Sequence, residues 1–331
     1  MSIADAQAEL SAFLAQAAAG WISKNRLSPL EGVAVAAPLA QLCLPGSGDD
    51  IARPGAAIEI FQKAIFACRI GVPVIADLAA SAMAHGRSPL HAYCLPQWLM
   101  FRDARLSRVA LNLGGMASLT FLAADSHPAD VTAFDAAPCG IVLDGLTRQE
   151  AGIPFDRDGM LASGGRACPP LLHELLATPP LGFRAGKRRD GEEGCLIDTS
   201  LGPPATLPPD AWGDIQTQRL VLMARKHGCI RKQDIMATAT EAVAISIAAA
   251  IEALTERPHE VILSGGGAMN IHLAGRVRSM LSPSSTVSIE KFGLPSPRSA
   301  RAVFLAAAAA LRIEAMSGTH RWPVDVIIPG Q

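Results

Sequence analysis

The chain has 331 residues, half of them hydrophobic and only 5% aromatic, with a formal net charge of −1. That length accommodates two domains with substantial cores, and the near-balanced charge excludes both the basic footprint of a nucleic-acid binder and an acidic tail. The seven cysteines (Cys43, Cys68, Cys94, Cys139, Cys168, Cys195 and Cys229) show no CxxC spacing, which argues against a disulfide framework or a zinc site and for a reducing, cytoplasmic setting.

Residues 2–19 carry a helical apolar period interrupted by Asp5 and Glu9, without a basic leader, and read as an amphipathic helix rather than a signal peptide. "EGVAVAA" (31–37) predicts a short buried strand, "AAIEIFQKAIFACRIG" (56–71) a helix ending at Gly71, and "VPVIADL" (72–78) a strand. The order α-β-α-β implies parallel pairing. A new pattern opens near Arg105: "SRVALNLGG" (107–115) predicts a strand ending in glycines, "MASLTFLA" (116–123) an antiparallel return, "VTAFDAA" (131–137) a third strand, and residues 140–152 a helix. Residues 179–213, rich in Pro, Gly and charge, read as an excursion from the core. A long helix (233–256), a strand (259–265), a helix (270–281), a strand (285–290) and a final helix (299–315) follow. "AVAISIAAAIEAL" and "AVFLAAAAAL" are short and Ala-rich for a bilayer span and read as buried helices, so no membrane association is expected.

Two glycine corners stand out, "NLGG" (112–115) and "SGGG" (264–267). Without side chains, backbone N–H groups can face an anion or a flat ring directly, and the helix beginning near Asn270 points its positive end at the second corner. A nucleotide fits both, with phosphates near Asn112, Gly114 and Gly115 and base near Gly265, Gly266, Gly267 and Asn270. Each corner also reads simply as a tight turn. A dinucleotide fingerprint is disfavoured, because "GGGAMN" is not GxGxxG and no early βαβ unit surrounds it.

"LNLGGMASLTFL", "FDAAPCGIVLDG", "GIPFDRDGMLASGG", "DIMATATEAVAISIAAAI", "SGGGAMNIHLAGRVRSML" and the closing "SGTHRWPVDVIIPG" resemble, in order and spacing, the anhydro-N-acetylmuramic acid kinases, as does "IEIFQKAIFACRIGVPVIADL" in the first half. The resemblance implies an α/β fold of two ribonuclease-H-like (actin-like ATPase) domains, here an incomplete first domain at 1–104 and a second at 105–331. It implies ATP with Mg2+ as cofactors, an anhydrosugar substrate and no protein-held metal. The family reaction opens 1,6-anhydro-N-acetylmuramic acid with water and phosphorylates its 6-hydroxyl, in peptidoglycan recycling.

Departures from the family pattern suggest impaired chemistry. The family's opening strands and phosphate loop are not found before Gly32, and the general-base position falls on Ala82 within "ADLAASAMAHGRSPL". Losing a general base costs about 10²–10⁴-fold in rate, and losing phosphate-binding donors on the order of 10²–10³-fold more. Asp77 and His85 are the substitutes to consider for the base. The family's acidic segment becomes "GLPSPRSAR" (293–301), with Arg298 where an acid is expected. Asp135, at a strand end, reads as a ligand to a sugar hydroxyl or metal-bound water, or as a turn cap. Asp144 reads as an acceptor behind the site or a helix-surface charge. Asp156 and Asp158 read as substrate-facing carboxylates or as an Asx turn before Gly159. Cys139 reads as a thiol at a helix start or a buried filler, and "GKRRD" (186–190) as a phosphate clamp or a solvated loop. Three functions follow: a working sugar kinase, a non-catalytic pseudokinase that binds nucleotide or a partner, or half of a split enzyme. An unpaired strand edge in the first domain favours a homodimer or a partner that completes that domain.

Overall fold

The computed structural model describes residues 3–25, 33–34, 41–44, 56–59, 62–84, 90–178, 185–186, 196–197, 209–281 and 284–316. They divide into two compact units, one of residues 1–96 with 302–331 and one of residues 97–301.

In the first unit, α1 (Ile3–Lys24) is followed by β1 (Val33–Ala34), β2 (Gln41–Leu44), β3 (Ala56–Glu59), α2 (Lys63–Ile70), β4 (Val74–Ile75) and α3 (Leu78–Ala84). Helix α1 packs on α2 through Leu14, Ala15, Ala18, Phe66 and Ile70, with Val74 beside them. Ser11 joins the two: its Oγ donates to the Gln7 carbonyl at 2.6 Å and accepts the Gln62 N–H at 2.7 Å, just before α2 begins. Helix α2 stops at Gly71, whose φ of 74° is a left-handed C-cap. Strands β1 and β4 pair in parallel, Val33 against Val74 and Ala34 against Ile75. The helix expected over 56–71 is corrected at its start. Ala56–Glu59 is a strand paired antiparallel with Gln41–Leu44, so a cross-strand partner overrides the helix propensity of Ala and Glu.

Helix α4 (His91–Phe101) contains Pro96 and runs across the boundary between the units. The second unit then builds β5 (Arg108–Leu113), β6 (Met116–Leu122), β7 (Thr132–Pro138), α5 (Gly140–Ala151), α6 (Met160–Ser163), α7 (Pro169–Ala177), the short ladder β8 (Ala185–Gly186) with β9 (Leu196–Ile197), α8 (Pro209–Lys226), α9 (Lys232–Glu252), β10 (Glu260–Ser264), α10 (Ile271–Met280), β11 (Ser285–Ser288) and α11 (Ala300–Met316), which continues into the first unit. Five strands form one sheet in the order β11-β10-β5-β6-β7. Only β6 runs against the others.

On one face, Val109, Leu111, Leu113, Leu119, Phe134 and Ala136 meet Val142 and Leu146 of α5 and the apolar length of α9 in a continuous core. Helix α9 is long and apolar enough to cross a membrane, contrary to the short span expected from its Ala-rich run, but 72% of its most apolar window is buried within the protein. Helices α5 and α8 approach closely because Gly145 has no side chain: a Cβ there would lie 2.3 Å from Thr217 Oγ1. At the amino ends of β5 and β10, the largely buried Arg108 donates to Glu260 (2.8 Å) and to the Phe101 carbonyl (2.8 Å), and pairs with Asp103 (3.0 Å). Lys291 closes the network on Glu260 at 2.6 Å, and the Arg108 guanidinium lies over the Phe292 ring.

Candidate functional site

The glycine corners sit at the carboxyl ends of β5 and β10. These strands are parallel neighbours with Ser264 in register with Asn112, so the corners must meet. A Cβ on Gly265 would lie 2.6 Å from Asn112 Oδ1 and 2.6 Å from the Leu113 carbonyl oxygen, and a Cβ on Gly267 would lie 2.9 Å from Leu113 Cβ. Gly265 adopts φ 86° and ψ 172°, a region that essentially only glycine occupies. A Cβ on Gly114 would lie 2.9 Å from Asn112 Nδ2, so the Asn112 carboxamide is held between both corners. It makes no hydrogen bond among the described residues.

Not every glycine N–H faces outward, a correction to the simplest reading of the sequence. Gly114 donates to the Met116 carbonyl (3.1 Å) and Gly265 to the Pro297 carbonyl (2.8 Å). The N–H groups of Gly115, Gly266 and Gly267 have no partner among the described residues, and the space above Gly266 is open to 4 Å. The start of α5 is turned inward. The N–H groups of Gly140 and Ile141 donate to the carbonyls of Gly114 (2.9 Å) and Gly115 (3.0 Å), which fixes the hairpin instead of leaving a free helix terminus. At α10, Asn270 is committed locally: its Oδ1 accepts the Leu273 N–H at 2.9 Å as an N-cap, and its Nδ2 reaches the Asp156 carbonyl at 3.5 Å.

A polar row crosses the sheet beside the corners, on the face away from α5 and α9. Ser264, Asn112, Ser118 and Asp135 occupy one register line over β10, β5, β6 and β7. A bulge between Ala117 and Ser118 sets Asp135 opposite Ser118, and bulges characteristically re-aim one side chain in this way. Ser118 Oγ donates to Asp135 Oδ1 at 2.6 Å. Asp135 thus lies inside β7, not at its end, and caps no turn. Burial pushes its carboxyl above the usual range, against the Ser118 hydrogen bond and the charge of Arg301. Ser118 and Arg301 escaped the sequence reading; the alternation of β6 gave Ser118's face, but the bulge that pairs it with Asp135 has no sequence signature.

Asp144 lies on α5 near Gly140, and burial raises its carboxyl against the charge of Arg148. Cys139 is 1% exposed, with its thiol pushed up to about 12 by burial and then by the Asp144 charge, so it is a core filler. Asp156 accepts the N–H groups of Leu161 (2.8 Å) and Ala162 (3.0 Å), one on each carboxylate oxygen. Asp158 is exposed at φ 57°, and the next residue, Gly159, abuts α10: a Cβ there would lie 2.4 Å from Asn270 Oδ1. The 156–159 loop and the 265–270 corner are therefore neighbours. Asp144, by contrast, belongs to the α5 side of the Gly114–Gly115 hairpin.

In the first unit, Asp77 has φ 59° and its carboxylate is ion-paired with Lys63. Ala82 is half-buried in α3. His85, residues 187–190 and the closing segment 317–331 lie outside the described residues. No group of three or more His, Cys, Asp or Glu that could hold a metal occurs among the described residues.

The sheet order and the single antiparallel strand define a ribonuclease-H-like α/β fold, with the glycine corners at the carboxyl ends of adjacent parallel strands. A family model described as anhydro-N-acetylmuramic acid kinase matches residues 1–196 and 215–322, and the chain belongs to that family. It is 30% identical over 241 residues to an anhydro-N-acetylmuramic acid kinase of Gloeobacter violaceus, covering 72% of this chain and 58% of that one. It is 31% identical over 270 residues to one of Salinibacter ruber, covering 80% and 62%. The chain therefore spans less than two thirds of the length of these relatives. Solved structures that align with the chain include the activator of 2-hydroxyisocaproyl-CoA dehydratase from Clostridium difficile with bound ADPNP (11% identity, TM-score 0.40, 75% of this chain and 71% of that one) and a ROK family glucokinase from Streptomyces griseus in complex with glucose and AMPPNP (12% identity, TM-score 0.37, 89% and 86%).

Proposed function

We propose that the chain is a nucleotide-binding member of the kinase family whose chemistry is impaired. The observation that carries this reading is the convergence of the two glycine corners on an unpartnered Asn112 carboxamide, with the Gly115, Gly266 and Gly267 N–H groups unengaged beside it. Three amide donors and a carboxamide suit the phosphoryl oxygens and base of ATP, and the open space over Gly266 leaves room for a ligand's atoms. Mg2+ supplies charge neutralisation and arrives with the phosphates; protein carboxylates need not form its cage.

The sugar-side chemistry of this reading is weaker. The residue at the family's general-base position is Ala82, which has no proton to take or give. The Asp77 carboxylate is already ion-paired with Lys63. Asp156 spends both carboxylate oxygens on backbone N–H groups, which leaves Asp135 and Asp158 as the carboxylates for sugar or cation contact.

A coupled assay with Mg-ATP and 1,6-anhydro-N-acetylmuramic acid tests the impairment. Ala82→Asp is expected to raise turnover about 10²–10⁴-fold over the parent chain. Equal turnover in the two proteins would remove Ala82 as the cause. Turnover by the parent at ordinary kinase rates would refute impairment itself.

A further inference from the structure

In the polar row Ser264–Asn112–Ser118–Asp135, only Asp135 can take a proton from water. Its Oδ1 accepts from Ser118 Oγ at 2.6 Å, and its Oδ2 has no hydrogen-bond partner among the described residues. One oxygen is therefore held and the other is available. Asn112, Ser118 and Asp135 lie opposite one another on adjacent strands, so two strand spacings, about 10 Å, separate the Asn112 and Asp135 backbones. That span accommodates a terminal phosphoryl group held by the Asn112 carboxamide and the unengaged Gly115 N–H, with one water between phosphorus and carboxylate. The three side chains are only partly buried and Gly115 is exposed, so solvent reaches the row. The neighbouring carboxylates do not compete: Asp156 is occupied by two backbone N–H groups, and Asp144 lies on the α5 side of the hairpin.

We propose that the chain hydrolyses ATP in the absence of any sugar, with Asp135 as the general base for the attacking water and Ser118 as the residue that positions Asp135. This rests on the nucleotide site at the glycine corners. The water oxygen attacks the γ-phosphorus while Asp135 Oδ2 takes the water's proton. The bond from the γ-phosphorus to the oxygen that bridges to the β-phosphate breaks, and its electron pair leaves on ADP. The products are ADP and inorganic phosphate, and Asp135 returns the proton to solvent. Water, unlike the sugar, needs no base at the Ala82 position. Burial holds the Asp135 carboxyl above its ordinary 3.8, against the Ser118 bond and the charge of Arg301 at the start of α11, which makes it a stronger base than an exposed aspartate.

Phosphate release from Mg-ATP without sugar tests this on the parent, Asp135→Asn and Ser118→Ala, with calorimetry against a non-hydrolysable ATP analogue as the binding measurement. The parent should release phosphate above a protein-free blank. Asp135→Asn should lose about 100-fold or more of that rate, yet bind the analogue at least as tightly, because a negative charge beside the phosphates is gone. Ser118→Ala removes a hydrogen bond that favours the ionised carboxyl, so the acid limb of its rate–pH profile should move to higher pH. A limb that stays in place would remove the positioning role of Ser118. Release by Asp135→Asn at the parent's rate, loss of analogue binding in that variant, or no release by a parent that binds the analogue would overturn Asp135 as the base and leave the nucleotide site standing. A folded parent that binds no analogue would remove both.

Discussion

Gly265→Ala separates the structural duty of the glycine corner from its ligand duty. The native backbone at Gly265, φ 86° and ψ 172°, costs about 1–3 kcal/mol for a residue with a side chain. The added methyl would also sit 2.6 Å from Asn112 Oδ1, 2.6 Å from the Leu113 carbonyl oxygen and 2.8 Å from its carbon. The carboxamide can rotate away, but the Leu113 backbone cannot, because Leu113 is held in the β5–β6 ladder opposite Ala117. Overpacking against a fixed backbone adds about 1–3 kcal/mol, so a loss of about 2–6 kcal/mol is expected. Gly266→Ala is the matched control: nothing lies within 4 Å of its would-be Cβ and its φ is not positive, so its stability should stay within about 0.5 kcal/mol of wild type. Urea unfolding of the three proteins at equal concentration, followed by circular dichroism, measures both values. A Gly265→Ala loss below about 1 kcal/mol, or an equal loss at Gly266, would refute the close approach of the two corners.

Arg108→Met should destabilise by about 1.5–3 kcal/mol in the same assay, because it removes one of the two cations paired with the largely buried Glu260 and leaves Lys291 as the other; adding Glu260→Met should restore part of that loss. Burial pushes the Glu260 carboxyl up, but the hydrogen bonds and charges of Lys291 and Arg108 outweigh it and hold the group below its ordinary 4.5. A depressed folded pKa contributes stability above the unfolded value that is lost as pH falls through the folded one. The gap between wild type and Arg108→Met should accordingly narrow below about pH 4.5. Asp135 has the opposite sign. Its carboxyl is raised by burial, so ionising it costs stability once pH exceeds the unfolded value of 3.8. Asp135→Asn should therefore stabilise the protein at pH 7 and make no difference at pH 3, as read by urea midpoints at the two pH values.

The second unit was largely legible in the sequence because its signals are local. The alternation in "MASLTFLA", the glycines closing β5 and the unbroken helical period of α9 each name their element without reference to the rest of the chain. The corners were legible for the same reason, and their meeting follows from the parallel pairing of β5 with β10. What stayed hidden depends on distant partners. Residues 56–59 have helix-forming composition and become a strand only because 41–44 lie alongside. Pro96 obscured α4, since a proline inside a helix forfeits a backbone bond that buried packing must offset. The Ser118–Asp135 bond needs a bulge, and the engaged N–H of Gly265 needs the Pro297 carbonyl.

Titration calorimetry with Mg-ATP, run on the parent protein and on Gly266→Leu, bears most directly on the nucleotide pocket. Saturable binding at one site per chain is expected for the parent, weakened at least about tenfold when the leucine fills the space over Gly266, which corresponds to about 1.4 kcal/mol. No saturable binding by the folded parent, or equal affinity in the two proteins, would contradict a nucleotide site at the glycine corners.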